Sequence, residues 1–429
     1  MTRFISPAHA VAGHIAVPGD KSISHRAVLL AAMGEGETMI RGFGRSRDTE
    51  ATLAAVRALG VDVSDEDVDV VGVRGVGIRG LRVPREPIDC GNSGTLIRLL
   101  AGILAGQEGR FQLTGDESLR ARPMQRIAEP LRAMGARVET NDGRPPLAIE
   151  GARLRGVAHR LPLASAQVKS CLLLAGLLAE GETAVYEPGR SRDHTERLLE
   201  QAGAPIRRRP GVATVEPPRR LELGEVDVPG DFSAAAPFVV AATLLAGSDL
   251  TVHGVGVNPT RTGLLDLLER MGARVTVFHR RRLGEEPVAD LQAHHAPLVA
   301  AEVRPQQVPL LVDELPLFAL TAASSRGDSV VRGARELRVK ESDRIETVTA
   351  ALRALGARIV ATPDGFHVRG VPARLRGGKV RSDGDHRIAI LGAVAGIASR
   401  EGVRLEGAEA VAISFPGFFE LLDRVTRRA

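Results

Sequence analysis

Lysine is scarce in this chain. Of its 57 lysines and arginines, only Lys21, Lys169, Lys340 and Lys379 are lysines, which leaves 53 arginines. A chain that uses arginine almost everywhere keeps lysine mainly where arginine fails. Lysine is a compact point charge that can release a proton, which a guanidinium effectively cannot. Lys21 (VPGDKSISHR), Lys169 (ASAQVKS) and Lys340 (RVKESDR) all lie in polar segments. Compositional drift accounts for one such lysine more readily than for three. Aromatic residues are also few, at 3%, with no Trp and a single Tyr, Tyr186. Stacking platforms for single-stranded nucleic acid are therefore wanting, although the net charge of +5 suits anionic ligands.

Only two cysteines are present, Cys90 and Cys171, both in apolar surroundings. They build neither a disulfide framework nor a metal cluster and are expected in the core. The start, MTRFISPAHAVAG, has no signal-peptide core, and the apolar run CLLLAGLLA at 171–179 is far too short to span a membrane. A cytoplasmic protein without a membrane partner is expected. Arg207–Arg209 and Arg280–Arg282 are the densest basic tracts and read as solvated faces, as does the pair His294-His295, which no Cys or carboxylate cluster joins. At 429 residues, with 44% hydrophobic and 25% charged residues, the chain has room for two or three domains.

The sequence repeats itself. A helix end followed by Gly and a strand start recurs at Gly60, Gly135, Gly203, Gly272 and Gly356, and FFELLDRV closes the chain without its strand. Glycine there suits the left-handed position after a helix. Small-residue apolar helices with polar starts begin near Lys21, Gly91, Ser165, Asp231, Asp313 and Asp385. Both marks recur about every 70 residues, the self-similarity of a repeat architecture. Segments such as ARVET, AVYEP, LTVHG and ARVTVF alternate as strands do. Helices apolar all round, such as AAAPFVVAATLLAG, belong inside, so six units imply helices within and sheets without. The matching phrases VPGDKS (Val17–Ser22) and VPGDFS (Val228–Ser233) read as crossings between two halves. Residues 21–230 then form one domain, and 1–20 with 231–429 the other.

Unusual polar residues gather at the helix starts. A helix N-terminus offers free N–H groups and partial positive charge to phosphate or carboxylate. Gly94 permits close backbone approach. Ser22 and Ser165 are caps or phosphate ligands. Arg26, Arg122, Arg192, Arg344 and Arg387 supply guanidinium forks for anions, although among so many arginines each has an alternative as an ordinary surface residue. In RVKESDR, a helix would put Lys340 and Arg344 on one face. Asp313 is either a helix cap or a carboxylate base. His386, between Asp385 and Arg387, is either a proton carrier or a local hydrogen-bond partner. If several of these helix starts converge on the cleft between the halves, they form a deep anion site.

In order along the chain, VPGDKSISHRA, GNSGTLIR, ARPM, ASAQVKS, RDHTE, NPTR, RVKESDR and GDHRIAI resemble the 5-enolpyruvylshikimate-3-phosphate synthase family (3-phosphoshikimate 1-carboxyvinyltransferases), class II branch, over about residues 13–420. The resemblance implies a two-domain inside-out α/β barrel of six βαβαββ-like repeats, three per domain. It implies transfer of the enolpyruvyl group of phosphoenolpyruvate to the 5-hydroxyl of shikimate 3-phosphate, with release of phosphate, in chorismate and aromatic amino acid synthesis. By motif, Lys21, Ser22, Arg26, Ser165, Ala166, Gln167, Arg192, Asp313 and Lys340 would hold shikimate 3-phosphate. Lys21, Gly94, Arg122, Gln167, Arg344 and Arg387 would hold phosphoenolpyruvate. Asp313 would take the hydroxyl proton, Lys21 and Glu341 would serve the methylene carbon, and His386 joins them as a catalytic candidate. No metal or organic cofactor is implied, and a monomer with only small-molecule substrates is expected.

Two departures stand out. Ile413, in AISFPGFF, occupies about the place where some members carry a lysine that binds phosphoenolpyruvate. Gly94 stands where members tolerant of the herbicide glyphosate can have alanine. The related UDP-N-acetylglucosamine enolpyruvyl transferase carries a reactive Cys on a mobile loop. The matching stretch here, LTGDESLRARP, has none. A non-enzymatic polyanion binder would leave Asp313, Glu341 and the lysines at helix starts unexplained.

Overall fold

The computed structural model describes residues 1–428 as a mixed α/β protein. The chain divides into two compact units. One comprises Gly19–Pro229 with Arg282–Glu286, the other Met1–Pro18 with Gly230–Arg281 and Pro287–Ala429. Residues 282–286 thus group with the unit opposite to the one the sequence reading gave them. Arg197 donates to the Glu285 carbonyl at 2.6 Å, and His194 lies 2.8 Å from Glu286.

In the Gly19–Pro229 unit three apolar helices, Lys21–Met33, Gly94–Leu104 and Ala166–Gly176, are buried almost throughout. Each leads into a four-stranded sheet, the third through the short strand Ala179–Glu180, which pairs separately with Leu154–Arg155. The three sheets share one pattern, a short strand parallel to the strand after the helix, then two antiparallel strands, as in Ile88–Asp89, Arg110–Thr114, Arg144–Glu150 and Arg137–Asn141. Parallel neighbours need a crossover. The buried helix supplies it between Ile88–Asp89 and Arg110–Thr114 and between Ala158–Arg160 and Thr183–Tyr186, whereas Glu225–Asp227 returns from the far end of the unit to lie beside Glu37–Arg41.

The other unit buries Phe232–Leu244, Leu315–Ala323 and His386–Ala398 against one another in a single core. Strand Ala10–Ala16 runs parallel to Asp249–Gly256, and Gly378–Arg381 parallel to Val403–Glu406, while Thr2–Ile5 adds to the latter antiparallel. The C-terminal helix Phe418–Val425 does not end the pattern without a strand. Thr426–Arg427 pairs antiparallel with Ala10–Val11.

Gly60, Gly135, Gly203, Gly272 and Gly356 all take positive φ directly after their helices, the conformation glycine adopts without steric cost. The caps are less uniform. Asp20, Ser93, Asp231 and Asp385 cap their helices through side-chain oxygens. Ser22 lies inside its helix. Ser165 stands at the N-cap without a capping bond. Asp313 is not at the N-cap, because the helix starts at Leu315 with Glu314 before it. RVKESDR is not one helix. A 3-10 turn, Arg335–Val339, ends at an extended Lys340, and the next helix begins at Arg344.

Cys90 and Cys171 are fully buried. His294 and His295 are half-buried, beside the carbonyls of Ser248 and Thr243. Lys379 makes an exposed ion pair with Glu406, and Ile413 packs against the core. Among the described residues no helix is long and apolar enough to cross a membrane.

Small residues set the helix spacing. A methyl group on Gly102 would lie 2.1 Å from the Cys171 carbonyl oxygen of the neighbouring helix. Backbone cannot yield as a side-chain tip does, so the helices would have to separate. Gly102→Ala is expected to cost about 1–3 kcal/mol, read as a lower urea midpoint at unchanged slope. An unshifted midpoint would show that this contact is not tight.

Candidate functional site

In the Gly19–Pro229 unit, Asp20 caps the first buried helix by accepting from the Ile23 N–H, which places Lys21 at the first helical position. The Lys21 ammonium lies 2.8 Å from Asp48 Oδ2. Five residues along the helix, Arg26 is buried. Its Nε donates to Thr195 Oγ1 at 2.7 Å, and its two terminal nitrogens donate to the Ser22 carbonyl and Ser170 Oγ. These bonds tie the Lys21 helix to the Ala166–Gly176 helix and to the His194–Gln201 helix, which begins two residues after Arg192. Burial lowers the Arg26 pKa to about 10, which leaves it charged near neutrality.

The second buried helix opens at Gly94. Arg98 Nη1 donates to Gln167 Oε1 at 2.7 Å, and Gln167 Nε2 donates to Thr95 at 3.0 Å, so Gln167 is held from both ends. Arg122 donates to Asn92 Oδ1 at 2.8 Å and to Ser118 Oγ at 3.2 Å. A methyl group on Gly94 would meet Arg98 Nη1 at 2.7 Å and Arg122 Nη1 at 3.0 Å. Ala166 opens the third helix, where the uncapped first turn leaves N–H groups for a ligand.

The Met1–Pro18, Gly230–Arg281 and Pro287–Ala429 unit has its own cluster, centred on Arg344. That guanidinium is almost wholly buried. It bonds Asp385 through Nε at 2.8 Å and Nη2 at 3.1 Å, Glu341 at 2.5 Å and Asp313 at 3.3 Å. Burial alone would lower its pKa, but Asp385, Glu341 and Asp313 outweigh burial and raise it well above the usual value. Burial likewise works to raise the Asp385 pKa, and the Arg344 charge wins and lowers it. Asp385 also accepts from the Arg387 N–H, linking this cluster to the last buried helix, whose first residue is the buried His386. Arg387 reaches Glu314 at 3.4 Å. Arg261 bonds Ser233 Oγ and lies 3.8 Å from Asp313. Lys340, half-buried, directly precedes Glu341.

Lys21, Ser22, Arg26, Gly94, Arg122, Ser165, Ala166, Gln167 and Arg192 therefore lie in one unit, and Asp313, Lys340, Glu341, Arg344, His386 and Arg387 in the other. The sequence reading gave no role to Asp48, Arg98, Arg261 or Glu314. Arg98 and Arg261 lie inside motifs already singled out, GNSGTLIR and NPTR. An arginine in an apolar helix (Arg98) and a second carboxylate at an apolar helix start (Glu314) were usable signals. Nothing local marks Asp48, 27 positions from Lys21.

Ammonium and guanidinium groups at helix starts, interleaved with carboxylates that can move protons, suit an enzyme acting on small anions. The comparisons agree. The sequence model of EPSP synthase (3-phosphoshikimate 1-carboxyvinyltransferase) matches residues 5–422. The chain is 49% identical over 419 residues to the 3-phosphoshikimate 1-carboxyvinyltransferase of Acidithiobacillus ferrooxidans, covering 97% of this chain and 96% of that one. It is 47% identical over 426 residues to the protein of the same name from Geobacter sp. (strain M21), covering 99% of each. The solved structure of EPSP synthase from Acinetobacter baumannii matches with a TM-score of 0.87 at 41% identity, over 100% of this chain and 98% of that one. The enolpyruvyl transferase NikO from Streptomyces tendae, at 21% identity and a TM-score of 0.79 over 98% and 96% of the two chains, shares the fold. The chain belongs to the EPSP synthase family.

One buried group beside Lys21 makes the site sensitive to acid. Burial pushes the His25 imidazole down to about 3, against an opposing pull from Asp48. His25 lies 2.6 Å from Thr52 Oγ1 and stays neutral in the folded state. The unfolded chain takes up a proton on this histidine below about pH 6.5, so stability falls as pH drops from there toward 3. By pH 4 this amounts to roughly 3 kcal/mol. Urea unfolding of His25→Gln should show a smaller loss of stability between pH 7 and pH 4 than the parent. An equal loss would remove His25 from the pH dependence.

Proposed function

We propose that this protein is a 3-phosphoshikimate 1-carboxyvinyltransferase. It moves the enolpyruvyl group of phosphoenolpyruvate to the 5-hydroxyl of shikimate 3-phosphate and releases phosphate, a step toward chorismate and the aromatic amino acids. Family membership across residues 5–422 carries the reading. In this reading the two compact units are the two domains of an inside-out α/β barrel, each built from three repeats. The strand order that recurs in the four four-stranded sheets supports that view.

Lys21, Ser22, Arg26, Ser165, Ala166, Gln167, Arg192, Asp313 and Lys340 bind shikimate 3-phosphate. Lys21, Gly94, Arg122, Gln167, Arg344 and Arg387 bind phosphoenolpyruvate. The Arg344 cluster supports a specific role for the acids. Glu341 and Asp313 bond guanidinium nitrogens that suit a substrate carboxylate, while Asp385 bonds two nitrogens and caps a helix. Binding of phosphoenolpyruvate displaces Glu341 and Asp313 and frees both for proton transfer. Asp313 then takes the proton of the attacking hydroxyl as the oxygen bonds to C2 of phosphoenolpyruvate. Lys21 protonates the methylene carbon, giving a tetrahedral ketal phosphate, and the Glu341 carboxylate then removes a proton from the resulting methyl group as the bond to phosphate breaks. His386, next to Asp385, is the remaining proton-transfer candidate. The surrounding cations stabilise the charge that develops on the phosphate and carboxylate groups.

Phosphate release should require phosphoenolpyruvate together with shikimate 3-phosphate, and should not occur with UDP-N-acetylglucosamine as acceptor. Turnover with the nucleotide sugar alone would overturn the reading. Lys21→Arg keeps the charge but not the transferable proton, and should cost at least about 100-fold in kcat. Near-parental kcat would remove Lys21 from proton transfer. Gly94→Ala pushes on Arg98 and Arg122 and should raise KM for phosphoenolpyruvate several-fold with a small effect on folding. An unchanged KM would mean that these guanidinium groups yield without consequence.

A further inference from the structure

Lys169 is the lysine at a helix start that the proposed reaction does not use. It lies in the first turn of the Ala166–Gly176 helix, with its side chain 5% exposed. Its ammonium bridges Glu187 Oε2 and Glu196 Oε1, each at 2.8 Å, with those side chains 7% and 4% exposed. Burial alone would lower the Lys169 pKa, but the two carboxylates prevail and raise it, so the lysine is a fixed charge. A buried cation between two buried acids is costly to remove from water, and it stays only with well-made contacts.

The contacts lead to the site. The second oxygen of Glu187 accepts from the Ser165 N–H at 3.2 Å and from Ser191 Oγ at 2.6 Å. Ser165 opens one proposed shikimate 3-phosphate segment, and Ser191 directly precedes Arg192 in another. One carboxylate, anchored by one ammonium, therefore holds both segments. Gln167, shared with phosphoenolpyruvate, is held independently by Arg98 and Thr95.

We propose that Lys169 and Glu187 form a positioning pair that sets the two phosphate-binding segments of the shikimate 3-phosphate subsite, and so governs affinity for that substrate and not for phosphoenolpyruvate. The proposal rests on the function proposed above. Neither residue touches substrate. Each acts through Ser165 and Arg192. Lysine is kept here because a compact ammonium meets two carboxylates in a closed space where a planar guanidinium has no room to spread.

Steady-state kinetics on Glu187→Gln test the pair. This variant leaves Lys169 paired with Glu196, so no buried charge is stranded. Its amide turns its oxygen toward Lys169 and presents NH2 to the Ser165 N–H, which loses its acceptor. KM for shikimate 3-phosphate should rise about tenfold, while kcat and KM for phosphoenolpyruvate change less than about twofold. Calorimetric titration with shikimate 3-phosphate alone should show the same weakening. Lys169→Met should reproduce the split, and if it fails to fold, Glu187→Gln decides alone. A parental KM for shikimate 3-phosphate, or both KM values and kcat moving together, overturns the proposal. Absence of turnover in the parent protein would instead refute the proposed function.

Discussion

A helix buried on every side has no place for polar side chains except its ends. That constraint governs this protein. Six helices are apolar almost throughout, and the ionisable groups that belong to them cluster at their N-termini or within the first turn or two. There the unpaired backbone N–H groups and the helix dipole favour anions. Packing and chemistry thus have one cause. The same small residues that let the helices pack closely leave the helix starts as the natural place to bind phosphate and carboxylate.

Bringing many cations together requires counter-charges, and the protein supplies them in a graded way. Lys21 meets Asp48, Lys169 meets two glutamates, and Arg344 meets three carboxylates. Breaking a buried pair from one side is expensive because it strands the other charge. A substrate that brings its own carboxylate can instead exchange with a protein carboxylate, so the net charge of the pocket is conserved. In the proposed function Arg344 makes such an exchange. Asp385 bonds two nitrogens of Arg344 and belongs to a helix cap, whereas Glu341 and Asp313 bond one nitrogen of Arg344 each and Asp313 also lies 3.8 Å from Arg261. Lys169 makes none, since each of its partners has its own place in the fold.

Much of this was legible beforehand, and the limits follow from geometry. The glycines after the amphipathic helices and the apolar helices themselves are local patterns, set by backbone sterics and burial, and they stand where the periodicity predicts. Where a local pattern fits two structures, only the fold chooses between them. RVKESDR has helical spacing, yet Lys340 is extended, because the 3-10 turn before it and the Asp343 cap after it end any continuous helix. Asp313 has the composition of a cap, but Leu315–Ala323 starts two residues later, which leaves its carboxylate for Arg344 and Arg261. The strand after the last helix is two residues long and exists only because Ala10–Val11 offers it a partner.

By itself the sequence determined the alternation of helix and strand, the family, and which residue types stand at each helix start, because these follow from periodicity, side-chain size and the need to hide apolar surface. Only the tertiary structure decided the partners. That Asp48 meets Lys21, that Glu187 joins Ser165 to Ser191, and that Glu314 lies beneath Arg387 depend on residues distant along the chain. A charge pair acts over a few ångströms of space, and its sequence separation leaves no mark on the residues beside it. The roles of the four lysines divide on this ground. Lysine scarcity pointed to Lys21, Lys169 and Lys340, but only their contacts set Lys21 beside Asp48, enclose Lys169 between Glu187 and Glu196, and leave Lys379 as an exposed partner of Glu406.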